Sequence, residues 1–143
     1  MAFLGTATDY LRAAVLQHTL GIAPYTMPPQ VFIGLCTAVT SPTPSVPGTE
    51  VVAGVGYVRR QGIFALASGR SDLAANTVTI EWSPATLDWG TVAWIEIWDA
   101  NAAGNRLFWG PLTDPVTGLQ ITRVVERGDV LRMEAGTLMV QAI

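Results

Sequence analysis

The sequence contains no lysine: its eight basic residues are all arginines, scattered from Arg12 to Arg132, against eleven carboxylates and a formal net charge of −3. Nucleic-acid binding rests on clustered basic side chains, so this chain is expected to have no nucleic-acid partner. Charge of either sign is scarce, at 13% of residues where about 25% is usual. A single cysteine, Cys36, allows no internal disulfide, and the fold is therefore independent of redox state. Cys36 sits in an apolar run and is expected to be a small buried hydrophobe. No apolar run approaches the roughly 20 residues of a membrane helix. The N-terminus has no basic region leading into a continuous apolar core, so neither a membrane partner nor a signal peptide is expected.

Catalytic vocabulary is missing as well. Hydrolysis needs a nucleophile with a base, or paired carboxylates in a cleft. The only histidine, His18, falls on the apolar side of a predicted helix and is expected to be packed. There is no G-x-S-x-G, H-E-x-x-H, Walker loop or Cys/His cluster. Gly54-Val55-Gly56 lacks the third glycine and the following helix of a dinucleotide loop. Asp99, Asn101 and Asn105 have the look of a calcium loop, but Ala103 interrupts the oxygen series and no closing glutamate follows. A hairpin turn is expected there instead. Arg127-Gly128-Asp129 spells an adhesive tripeptide, yet it lies between two predicted strands where Gly-Asp is ordinary turn chemistry. The expectation is a protein that is not an enzyme and needs no cofactor and no metal.

What is present is apolar. The 143 residues are 50% hydrophobic, enough to bury a core without staples and with apolar surface to spare for neighbours. All five tryptophans lie between Trp82 and Trp109, in short segments with period-2 patterning cut by turn residues. That pattern builds strands. From Val92 onward one face carries Ala93, Ile95 and Ile97, and the other carries Trp94, Glu96 and Trp98. Two indoles around a glutamate permit three readings: a face covered within the fold, a protein contact, or a platform for sugar rings with the carboxylate accepting hydroxyl bonds. The protein contact is favoured, with Glu96 at an interface rim or paired with an arginine such as Arg59 or Arg106, because low charge gives the chain a separate reason to seek neighbours.

Along the chain, residues 6–22 read as one helix capped by Thr8 or Thr6 and stopped by Gly21 and Pro24. Leu4, Ala7, Leu11, Ala14, Val15 and His18 share one face, while Leu16 and Leu20 project from the other, as on a helix wedged between two bodies. Residues 31–143 read as β throughout, beginning with a strand at 31–39. The proline-rich loop at 40–48 is stiffened by Pro42, Pro44 and Pro47 and suited to reach a neighbour. Strands are expected at 57–66, 78–82, 92–98, 106–112, 119–125, 129–134 and 137–142, with a polar turn at 68–75. Seven or eight short strands with frequent turns predict a mainly β single domain of 1–143, a β-sandwich or jelly roll with one short N-terminal helix.

The order of segments carries a resemblance. Asp9-Tyr10-Leu11 with Leu16-Gln17-His18 comes first, then Gly48-Thr49-Glu50-Val51 and Gly54-Val55-Gly56-Tyr57-Val58-Arg59-Arg60-Gln61. Trp89-Gly90-Thr91-Val92, Trp98-Asp99-Ala100 and Leu107-Phe108-Trp109-Gly110-Pro111-Leu112-Thr113 follow, and the chain closes with Gly128-Asp129 and Ala135-Gly136-Thr137-Leu138. From about Asp9 to Val140 this resembles small, tail-fibre-like virion structural proteins of tailed bacteriophages. Trp94 and Glu96 depart from that pattern. The resemblance implies a β-rich, non-catalytic particle component, located in the virion and assembled in the cytoplasm of a bacterial host. Its expected partners are itself, as a trimer, and other capsid or tail proteins. Size and composition favour capsid decoration; a short tail fibre, a tail adaptor or a module binding host glycan through Trp94 and Trp98 is the alternative. The expected interface residues are Trp94, Glu96, Trp98, Leu16, Leu20, Pro42 and Pro44.

Overall fold

A computed structural model describes residues 1–38 and 47–142; Pro42 and Pro44 lie outside the described residues. In chain order it consists of β1 (Ala2–Ala7), α1 (Asp9–Thr19), β2 (Val31–Cys36), β3 (Arg60–Gly62), β4 (Phe64–Leu66), β5 (Leu73–Asn76), β6 (Ile80–Glu81), β7 (Gly90–Val92), β8 (Trp94–Trp98), β9 (Arg106–Thr113), β10 (Arg123–Val125), β11 (Arg132–Met133) and β12 (Leu138–Gln141). The fold is mainly β with one short helix, as the sequence predicts. Eight strands form one sheet in the order β3-β2-β8-β9-β1-β12-β5-β4, and two small ladders, β10-β7 and β11-β6, stand beside it. Only β1 and β12 run parallel; the other ladders are antiparallel.

The two end strands of that sheet, β3 and β4, are separated by Ile63 alone. One residue cannot span the width of a flat sheet of eight strands spaced about 4.8 Å apart, so the sheet curls until its ends meet. Gly62 is required at the corner, because a Cβ there would stand 2.7 Å from the Phe64 ring. The curl creates an inside. Phe3, Ile33, Leu35, Ile95, Leu112 and Leu138 fill it from five strands with no exposure to solvent. Trp82 and Trp89 close the side next to the small ladders, where Trp89 meets Tyr57 edge-on at 5.5 Å and donates its indole N–H to the Val55 carbonyl.

Several boundaries differ from expectation, each for a physical reason. The helix is Asp9–Thr19, not 6–22. Residues 2–7 are instead a strand paired on both sides, to β9 and β12. Ladder bonds on two edges outweigh helix propensity, which Gly5 lowers in any case. Thr8 is the N-cap, and its hydroxyl donates to the Arg106 carbonyl at 2.7 Å, tying the helix start to β9. The predicted turn at 68–75 is shorter, since Leu73–Asn76 is a strand. Its buried Asn76 amide donates to the Val78 and Glu134 carbonyls and accepts from the Leu138 N–H, fastening β5 to the last hairpin. The predicted strand 57–66 breaks at Ile63 into β3 and β4. His18 is exposed rather than packed, and its Nδ1 accepts the Tyr25 N–H at 3.0 Å.

Candidate functional site

The outward face of β2, β8 and β9 gathers the aromatic and charged residues singled out above. Antiparallel register sets Trp94 between Cys36 and Pro111, Glu96 between Gly34 and Trp109, and Trp98 between Phe32 and Arg106. The last pairing depends on a bulge. Ile97 faces Phe108 while Trp98 faces Arg106, so β9 carries one extra residue, Leu107. Without it, alternation would turn Arg106 inward. With it, Arg106 lies on the face of Glu96, and Leu107 is released to pack against Ala7 and Leu11 of the helix region.

Glu96 and Arg106 form an ion pair at 2.5 Å whose side chains are 0% and 2% exposed. The other carboxylate oxygen, Oε1, accepts the Cys36 thiol at 3.0 Å, while Oε2, which holds Arg106, also accepts the Gly48 N–H at 3.4 Å. A second charged group lies above it. Glu50 accepts the Tyr57 hydroxyl and the Arg59 guanidinium, and the Tyr57 hydroxyl in turn accepts the Leu35 N–H at 2.9 Å. Arg59 then reaches three more groups. Its Nη1 donates to the Ala100 and Ala103 carbonyls, and its plane lies 3.9 Å over the Trp98 ring, a cation–π contact. Gly34 leaves room for this stack, since a Cβ would come within 3.2 Å of both Glu50 and the Trp98 indole nitrogen. The Asp99–Asn105 segment is a turn, as expected: Asp99 accepts the Asn105 N–H and side-chain amide.

Glu96 is thus paired with Arg106, one of the two arginines proposed from the sequence, while Arg59 serves Glu50. Glu96 is sealed inside the chain, so its carboxylate is out of reach of a sugar hydroxyl and of a partner protein alike, and it is neither the centre of a sugar platform nor itself an interface residue. Trp98 lies under Arg59. Trp94 stacks on Trp109, with ring centres 6.0 Å apart and planes 24° apart, and both remain half-buried. Leu16 and Leu20 are elsewhere, on the outer side of the helix, 59% and 65% exposed. Sequence reasoning missed Glu50 and Tyr57. The signal available was Tyr57-Val58-Arg59, which puts a hydroxyl and a guanidinium on one side of an extended segment.

A profile of the family described as Podophage GP4 fiber I protein gp80 matches residues 6–141, from within β1 to the end of β12. The chain belongs to that family. No curated protein matches it. Membership in the gp80 fibre family makes this a small phage structural protein and implies a virion location. It gives the buried charge cluster a structural setting.

Burial and the neighbouring Glu96 carboxylate push the Cys36 thiol up, and burial beside Glu50 does the same to the Tyr57 hydroxyl. Both groups hold their protons more tightly folded than unfolded. Their stabilisation is complete below the ordinary values of 9.0 and 10.0 and declines as pH rises beyond them. Each group is expected to lower stability by about 1.4 kcal/mol per pH unit in that range. Urea melts between pH 8 and 11 measure the slope, which Cys36→Ala with Tyr57→Phe should flatten.

Proposed function

We propose that the chain is a non-enzymatic, homo-oligomeric β module of the phage particle, a trimer used as a short fibre or fibre adaptor. The observation that carries this reading is the outer side of α1 and the segment after it. Leu16, Leu20, Ile22 and Met27 are 59–80% exposed there, in a chain with few charges to keep it apart from its own kind. We take the fibre side from the family's description as a fibre protein; capsid decoration, which size and composition favoured, is the other outcome of the test. The non-enzymatic part is supported by the site itself. Its carboxylates are engaged by arginines, and among the described residues no group of three His, Cys, Asp or Glu gathers to hold a metal.

Light scattering of the purified protein at micromolar concentration should give about three times the 15.2 kDa of one chain; a stable monomer would overturn the oligomer. Leu16→Asp should leave the isolated fold intact, because Leu16 is mostly exposed. It should still weaken self-association tenfold or more, since burying a leucine contributes about 1.5–3 kcal/mol. Arg12→Ala loses only an exposed pair with Asp9 at 3.7 Å and is expected to change association by less than about fivefold. Tracing the chain in an imaged particle separates fibre from capsid.

A further inference from the structure

A groove of about 380 Å³ opens beside the helix, walled by Tyr10, Tyr25, Pro24, Met27 and Pro28, with Asp99 at one end. It is preformed. Tyr10 stands in the first turn of α1, and the loop carrying Tyr25 is fixed by its N–H bond to His18 and by the Ile22 N–H bond to the Gln17 carbonyl. Burial, then Tyr10 and Asp99, raise the Tyr25 hydroxyl, so these three groups converge. Among the described residues neither tyrosine hydroxyl takes a hydrogen-bond partner, and the Asp99 carboxylate is held by Asn105. The groove therefore offers two rings, two hydroxyl donors and apolar walls, with the single carboxylate of Asp99 at its end.

That is the chemistry of a polyproline-II receptor. Such a strand has no internal hydrogen bonds and offers its carbonyls to outside donors, while its proline rings pack on aromatic side chains. The chain carries a matching ligand. Residues 40–47, Thr40-Ser41-Pro42-Thr43-Pro44-Ser45-Val46-Pro47, hold three prolines and no charge. We infer that the Tyr10–Tyr25 groove receives the proline-rich segment around Pro42, Pro44 and Pro47 of a second copy of this chain.

Chain length decides for a second copy. The segment leaves and returns at the Trp94 end of β8, where Cys36 faces Trp94 and the Thr37 N–H bonds the Thr49 carbonyl at 2.8 Å. The groove lies past the other end of β8, at Asp99. Thr37 and Thr49 stand one residue beyond the Cys36–Trp94 pair, so six residues of strand separate them from the level of Asp99, about 20 Å. Pro42 and Pro44 are each five residues from one of these anchors and reach at most about 18 Å from it. The prolines of one copy cannot lie along that copy's own groove; those of a neighbour are under no such limit. This inference rests on the homo-oligomer proposed above and adds the exchange of an arm to it.

The test uses the full-length chain carrying Pro42→Ala, Pro44→Ala and Pro47→Ala as receptor, so that its groove is not filled by its own kind. A fluorescently labelled peptide of residues 38–48 should bind it saturably. Affinity should fall tenfold or more with Tyr25→Ser added, less with Tyr25→Phe, and be lost when the peptide's prolines are alanines. The proline variant and a separate Tyr25→Ser variant should each assemble poorly alone yet form a complex when mixed, because one supplies a groove and the other an arm. A misfolded variant would not be rescued in this way. Absence of saturable peptide binding, or binding indifferent to Tyr25, overturns the inference. So does Tyr25-dependent fluorescence change with purified bacterial polysaccharide in place of peptide binding. If peptide binding fails while light scattering still shows an oligomer sensitive to Leu16→Asp, the arm is refuted and the oligomer stands.

Discussion

Replacing Arg106 with methionine is expected to remove about 3–5 kcal/mol of stability, the usual result of leaving one member of a buried ion pair without its partner. Glu96 would lose the guanidinium while keeping contacts such as the Cys36 thiol and the Gly48 N–H. In a chain of this length such a loss should lower the midpoint of thermal unfolding by roughly 10 °C or more. The double variant Glu96→Leu with Arg106→Met distinguishes the pair from its parts. Removing both charges should recover most of the loss, since an apolar replacement of similar volume is often neutral or stabilising. Thermal and urea melts of the two single variants and the double variant complete the cycle. Additive losses would mean that the charges act through separate neighbours.

The next largest effects are expected at the two tryptophans of β8, and they should differ in kind. Trp98 is a platform within the chain, with Arg59 3.9 Å above it and Gly34 cleared beneath. Trp98→Ala should therefore destabilise the isolated fold by about 3 kcal/mol and free Arg59 from the 99–105 turn. Trp94 stacks on Trp109 and keeps part of its surface in solvent. If that surface is a subunit contact, Trp94→Ala should weaken assembly by about 2 kcal/mol with a smaller effect on the melting of dilute monomer. Equal losses of fold stability, with assembly untouched, would make both indoles packing groups only.

The Trp94 strand was legible because alternation is a local property and holds from Trp94 to Trp98; the expected strand 92–98 breaks at Ala93, where Val92 turns to pair with β10. Thr8 was legible as a cap for the same reason. What sequence reasoning missed is non-local. Residues 6 and 7 read as the start of the helix and residues 2–5 carry no strand signal of their own; only the two strands that flank them, β9 and β12, make 2–7 β. Leu73-Ala74-Ala75-Asn76 has weak β propensity and becomes a strand because β12 and β4 present unpaired edges to it. For Glu96 the sequence left open an interface rim or an arginine such as Arg59 or Arg106. Choosing between them required the bulge at Leu107, a register change that alternation cannot reveal. Glu50 went unremarked because its partners, Tyr57 and Arg59, come to it from beyond a turn. Leu16 and Leu20 lie on the side of the helix away from Leu11, exposed in the single chain.

The corner at Ile63 bears on how copies of this protein can meet. A sheet whose two end strands are three residues each, and consecutive in the chain, offers no long row of unpaired backbone groups. Backbone pairing between molecules is the indiscriminate kind of adhesion, open to any extended peptide and prone to runaway growth. Short end strands close that route in this sheet, and contacts through side chains, which are specific to their partner and can be altered one at a time, are unaffected by it. A protein stored at high density before assembly gains from this: crowding alone does not zip one molecule onto the next.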